Sequence, residues 1–259
     1  VVPVEYREEY KKWLELSDEE KSKYLVPEKY NFSKQQDNIN YINGFNNILK
    51  AANFLKSSFK TKYSLKDFIY NNVQIRNQEK TDTCWDFASI ASLESNLAFQ
   101  DYKNGKTETI YDFSERHMDY ATAYAAFLDN KTNTYGFNRN ISAGGNFYYA
   151  ASYLTDGMGA INENELPFEN NQNNIDISNI QNKTISATVL DTKVFAIPTT
   201  DAERISSIEE IKQFISNYGG VYSPIYADPN FLTSDYYNNE TGAMYSSGKK
   251  ANHAVCIIG

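Results

Sequence analysis

The sequence predicts an α+β fold in which helices fill the first part of the chain and strands follow. Two observations carry this. Apolar residues recur at helical spacing through the first 154 residues, then cluster from residue 185 in short β-branched runs. A hydrophobic content of 41%, with 15% aromatic residues, supplies enough apolar surface for a real core, so disorder is excluded.

Each element has its own signal. In residues 5–26, Tyr6, Tyr10, Trp13 and Leu14 repeat at i, i+4, i+7 and i+8. Ser17 and Glu20 then form a capping box for a second helical piece that Pro27 stops. Residues 31–47 read as an Asn-rich linker, and Ile48, Ala51, Ala52 and Leu55 as a short helix. A boundary near residue 60 divides the chain into a helical leading region, 1–60, and a main domain, 61–259.

In the main domain Cys84, Phe87, Ala88, Ala91, Leu97 and Ala98 share one helical face, with Thr83 and Asp86 spaced as a capping box that puts Cys84 in the first turn. Further helices are expected from Ser114 and over Gly145 to Leu154. After a polar loop, Ile185 to Val189 and Val194 to Ile197 read as strands. Ser207 and Glu210 would cap a helix lined by Ile208, Ile211 and Ile215 and ended by Gly219 and Gly220. Strands follow at Val221 to Ala227 and Ala254 to Ile258.

Composition excludes several functions. The formal charge is −8 and no basic run exceeds two residues, which argues against a nucleic-acid partner. No apolar stretch approaches the roughly 18 residues of a membrane span. Two histidines and two scattered cysteines offer no ligand set at zinc-like spacing, so neither metal nor cofactor is expected. Cys84 and Cys256 sit in different settings, one opening a helix and one inside an apolar strand, so no disulfide framework is implied. The five Asn-x-Ser/Thr sequons are what an Asn-rich chain generates by chance.

A thiol attacks as the thiolate, and a helix N-terminus favours that charge through its unpaired N–H groups. Cys84 has this position, whereas Cys256 reads as a buried strand residue. A base must come from His117, three residues into a helix and expected to be exposed, or His253, which opens an apolar strand. A Gln amide six residues before the thiol, Gln78, is placed to donate to an oxyanion.

Together these runs resemble one family. Gln78-x5-Cys84-Trp85-Asp86-Phe87-Ala88 resembles the active-site signature of the papain-like cysteine peptidases, and Asn252-His253-Ala254-Val255 their histidine strand. Phe113-Ser114-Glu115 is similar to the family's Leu-Ser-Glu helix start, Gly144-Gly145 to its substrate-pairing glycines, and Tyr63 to Asp67 to the start of its mature domain.

The resemblance implies a two-lobed fold, a helical lobe and a β-rich lobe with the active-site cleft between them. It implies a Cys84 nucleophile, His253 as general base and acid, and an oxyanion hole from Gln78 and the Cys84 N–H. Gly144, Gly145, Asn146, Phe147, Val221, Asn252, Ala254 and Trp85 would serve substrate binding. Protein or peptide substrates follow, and residues 1–60 take the place of a pro-segment that occludes the cleft in a zymogen.

Departures are informative. Thr81-Asp82-Thr83 stands where papain has Cys-Gly-Ser, so the disulfide common in eukaryotic members cannot form, as in bacterial members. The Asn that orients the histidine in this family would fall beyond Gly259, which places the end of the domain outside this sequence. Secreted or cell-surface bacterial members are the best match. Two alternatives use the same residues: a cysteine transpeptidase, and an inactive homologue that binds peptides.

Overall fold

The computed structural model describes residues 62–195, 197–227, 238 and 250–259. The helices expected in residues 5–26 and 48–55 and the linker 31–47 lie outside the described residues. The chain divides into two compact units, Ser64–Val194 with Glu210–Gly259, and Val1–Tyr63 with Phe195–Glu209.

In order, the elements are α1 (Lys66–Ile69), α2 (Cys84–Lys103), α3 (Glu115–Ala121), α4 (Phe147–Thr155), α5 (Asp201–Tyr218), β1 (Val221–Ile225) and β2 (His253–Ile257). This is the expected α+β order.

Helix α2 organises the first unit, because α1, α3, α4, β1 and β2 all pack on it. Its 20 residues contain neither Gly nor Pro, and Trp85, Ala88, Ile90 and Leu93 turn inward. The helix ends at Asn104, followed by Gly105 at φ 75°, a left-handed position that costs glycine nothing. At its start the expected capping box is absent. The Thr83 hydroxyl hydrogen-bonds Thr81 instead of the helix, and Asp86 turns inward, accepting only from the N–H of Phe87 at 2.7 Å.

Helix α3 starts where the sequence placed it: Ser114 Oγ accepts from the N–H of His117 at 3.0 Å. Every residue of α3 is buried, charged ones included. Helix α4 begins after Asn146, whose Oδ1 accepts from the N–H of Tyr148 at 2.9 Å.

β1 and β2 pair antiparallel, from Val221 opposite Ile257 to Ile225 opposite His253. The N–H of Leu65 donates to Ile258 O at 2.8 Å, tying the chain leading into α1 to the end of β2.

Three expectations are corrected. Ile185 to Val189 forms no strand: its N–H groups bond to Ala160 and Leu154, in a glycine-containing loop that cannot sustain a ladder. The described residues of 194–197 are likewise outside any strand. Helix α5 starts before Ser207, because Thr200 and Glu203 cap it: Thr200 Oγ1 accepts from Glu203 N–H at 3.2 Å, and Glu203 Oε2 from Thr199 N–H at 2.7 Å. On its apolar face Ile215 is buried while Ile208 stays exposed.

Candidate active site

Cys84 is the first residue of α2 and is half-buried. Burial, with a smaller push from Asp82, moves its thiol above the ordinary range, while the nearby backbone of Ala254, Cys84 itself and Trp85 opposes the shift. Desolvation wins, so the helix terminus alone does not produce the lowered thiol that the sequence led us to expect. Ala254 directly follows His253, so the mouth of β2 is brought to the cysteine.

His253 opens β2, half-buried and opposite Ile225. Asn252 extends that pairing with its side chain: Oδ1 accepts from Ala227 N–H at 2.7 Å and Nδ2 donates to Ala227 O at 2.9 Å. This side-chain bridge fixes where the strand begins, and hence where the imidazole starts.

The other histidine is not exposed. His117 is 1% accessible, its Nε2 donating to Ile180 O at 3.2 Å and its Nδ1 accepting from Tyr153 Oη at 2.7 Å. A carbonyl can only accept, which settles the tautomer. Burial holds this imidazole down to about 4. It is a neutral core group.

Gln78 is half-buried and its Nε2 donates to Thr81 O at 2.6 Å. Thr81 N–H and Oγ1 return bonds to Gln78 O, closing a tight turn just before the helix.

Gly144 and Gly145 run past the face of Trp85. Gly144 sits at φ 70°, and a Cβ on Gly145 would stand 2.3 Å from Trp85 Cε2. Trp85 itself is 1% accessible, so it supports the glycine strand from behind and lines no open surface. Burying an indole removes on the order of 200 Å² from water, roughly 5 kcal/mol of apolar transfer at about 25 cal/mol per Å².

Asn146 spends its side-chain oxygen on capping α4. Phe147 stands 5.9 Å from the ring of Tyr222. Val221 is 9% accessible, at the end of the ladder away from His253. Tyr222, next to it, packs beside Cys84 and Phe147, and its phenol is pushed up to about 12, mainly by burial. The sequence reading did not name Tyr222, whose side chain lies on the opposite face of β1 from that of Val221.

Buried charge surrounds this frame. Arg76 pairs with Glu94, Asp112 and Glu115 and also donates to Phe113 O at 2.9 Å. Burial pushes Glu94 up to about 7 and Glu115 up to about 8 despite that cation. A second group joins Asp86, Asp119 and Arg139; both aspartates are pushed up by burial, and Arg139 pairs with Asp119. None of these pairs has a local sequence signature.

Among the described residues no group of three or more His, Cys, Asp or Glu side chains is placed to hold a metal. No helix among them is long and apolar enough to cross a membrane. Both cysteines are free, and burial pushes Cys256 up to about 12.

The helical frame carries Cys84 at the N-terminus of its central helix and packs the strand opened by His253 against that helix. The family model of the papain family cysteine proteases matches residues 65–259, and the chain belongs to that family. No curated protein matches it in sequence.

Among solved structures, it resembles the cysteine protease and lectin-like domains of Cwp84, a surface layer associated protein of Clostridium difficile. Identity is 24% and the TM-score 0.55, over 79% of this chain and 39% of that one. The clostridial cysteine protease Cwp84 after propeptide cleavage is similar at 26% identity and TM-score 0.56, over 76% of this chain and 42% of that one. The chain thus spans less than half the length of either.

Proposed function

We propose that this chain is a cysteine endopeptidase in which Cys84 and His253 form the reacting pair. The observation that carries the reading is the place of Cys84, first in α2 and packed against the core cluster that holds Ala254, one residue from His253.

In this reading His253 takes the thiol proton and Cys84 Sγ bonds to the carbonyl carbon of the scissile peptide. Charge developing on the carbonyl oxygen is met by the Cys84 N–H and by the second amide proton of Gln78, the first being committed to Thr81. The C–N bond breaks as His253 gives its proton to the leaving amine. Water then attacks the thioester with His253 as base, breaking the C–S bond and restoring the thiol. Extended substrate lies along Gly144 and Gly145, with Asn146, Phe147, Ala254 and Tyr222 around the next side chain.

Residues 1–60 are assigned as a pro-segment, so the chain is made as a zymogen and its main domain occupies 61–259. Export to the bacterial surface is the proposed location, supported by the likeness to a protein described as surface layer associated. The test is hydrolysis of a denatured protein substrate by the full chain, before and after cleavage near residue 60, beside Cys84→Ala and His253→Ala. Cleavage by the parent, lost in both variants, supports the reading; cleavage that survives Cys84→Ala contradicts it.

A second reading has one observation in its favour. Burial raises the Cys84 thiol, which suits an inactive homologue that binds peptides without cutting them. Saturable peptide binding without turnover, unchanged by Cys84→Ala, would select it.

A further inference from the structure

We propose that Arg139 is a positioning residue of this site, aiming the Gly145 N–H at extended substrate; the inference rests on the peptidase reading above. Arg139 lies in the loop before the two glycines, outside every helix and strand, yet its side chain is 4% exposed. Its guanidinium joins three parts of the frame. Nη2 pairs with the Asp119 carboxylate and donates to Thr122 Oγ1 at 3.2 Å, both on or next to α3. Nη1 donates to Gly144 O at 3.1 Å and to Asn140 O at 3.3 Å. The group also lies over the Trp85 ring at 5.0 Å and near the Tyr149 ring at 5.8 Å, a cation-π placement beside Cys84.

The consequence follows from peptide geometry. The bond between Gly144 and Gly145 is trans, since the cis bond among the described residues is Gly159-Ala160. A trans peptide directs its C=O and N–H to opposite sides. By holding Gly144 O on the inner side, Arg139 turns the Gly145 N–H outward, and that N–H donates to no group among the described residues. Without the guanidinium, two glycines, the residues freest to rotate, would carry the substrate-pairing strand.

The fork geometry matters. Lysine offers one compact charge and cannot hold Asp119 and Gly144 O together, whereas the planar guanidinium does both. Asp119 is a buried carboxylate, further held by Gln172 Nε2 at 3.2 Å, so the anchor end is fixed. Asp86 from α2 also faces the guanidinium, and Glu115 from α3 acts on Asp86 in turn.

The experiment compares the full chain with Arg139→Lys and Arg139→Met in two assays, hydrolysis of an N-blocked dipeptide amide and alkylation of Cys84 by iodoacetamide, with thermal unfolding followed in parallel. Iodoacetamide makes no use of the glycine strand. The expected result is a loss of about 10- to 100-fold in peptide kcat/KM for both variants, with the alkylation rate within about twofold of the parent. Arg139→Lys, which keeps a cation against Asp119, guards against simple misfolding. Equal loss in both assays, or full peptide turnover in Arg139→Lys, overturns the inference alone. No peptide turnover by the parent, even after cleavage near residue 60, overturns the peptidase reading and this inference with it.

Discussion

The Cα of Gly145 rests against the indole of Trp85 so closely that an added Cβ would meet Cε2 at 2.3 Å. Trp85 is pinned in the core and cannot retreat. Gly145→Ala therefore pushes the glycine strand outward rather than the ring inward. We expect a loss of at least about tenfold in peptide kcat/KM with a helical circular dichroism spectrum close to the parent's. Parent-like turnover would show that the strand takes no part in binding.

Arg76 stands between the carboxylates of Glu94, Asp112 and Glu115, and the first and last of these are almost fully buried. Removing the cation leaves two carboxylates in the interior, so Arg76→Met should cost about 3–5 kcal/mol of stability. Adding Glu94→Gln and Glu115→Gln should return much of it. Urea unfolding near pH 9, above the values of about 7 and about 8 for Glu94 and Glu115, measures both. A single variant as stable as the parent would mean that the carboxylates are already neutral.

His117 gives a pH signature. Its folded value is near 4 against an unfolded value of 6.5, so the unfolded chain takes up a proton first as pH falls. The stability at risk is complete above about 6.5 and disappears progressively down to about 4, roughly 3 kcal/mol in all. Glu94 and Glu115 act in the opposite sense: raised to about 7 and about 8, they stabilise at low pH and lose that as pH rises. Comparing the parent with His117→Asn isolates the histidine. The gap between their stabilities should narrow as pH falls from 6.5 to 4, and parallel curves would contradict the buried neutral assignment.

The fold was legible wherever one local pattern decided it. Cys84 in the first turn of α2 and His253 opening β2 rest on periodicity, and Ser114 before α3 on its cap. What escaped depends on distant partners. Residues 185–189 have β-branched composition but lie against a loop, and Thr83 has cap spacing but a better partner in Thr81. Arg139 gave no signal, because Asp119 is 20 residues upstream and only the tertiary fold brings them together. His117 was misjudged because its charged neighbours suggested solvent, while all of α3 is buried.

Burial raises the Cys84 thiol, and an imidazole accepting its proton is the proposed means of activating it. His253→Ala should therefore move the midpoint of the Cys84 alkylation profile above the ordinary thiol value of about 8.5. The parent should react at lower pH. Overlapping profiles would mean that His253 does not share a proton with Cys84.

The most direct test of the central claim is intact-mass and peptide-mapping spectrometry after brief exposure of the full chain to a peptidyl epoxide, beside Cys84→Ala. The account predicts a single adduct on Cys84, none on the half-buried Cys256, whose thiol is pushed up to about 12, and none on the variant. A parent unlabelled even after cleavage near residue 60, or an adduct on Cys256 instead, would contradict an activated thiol in a peptide-shaped cleft.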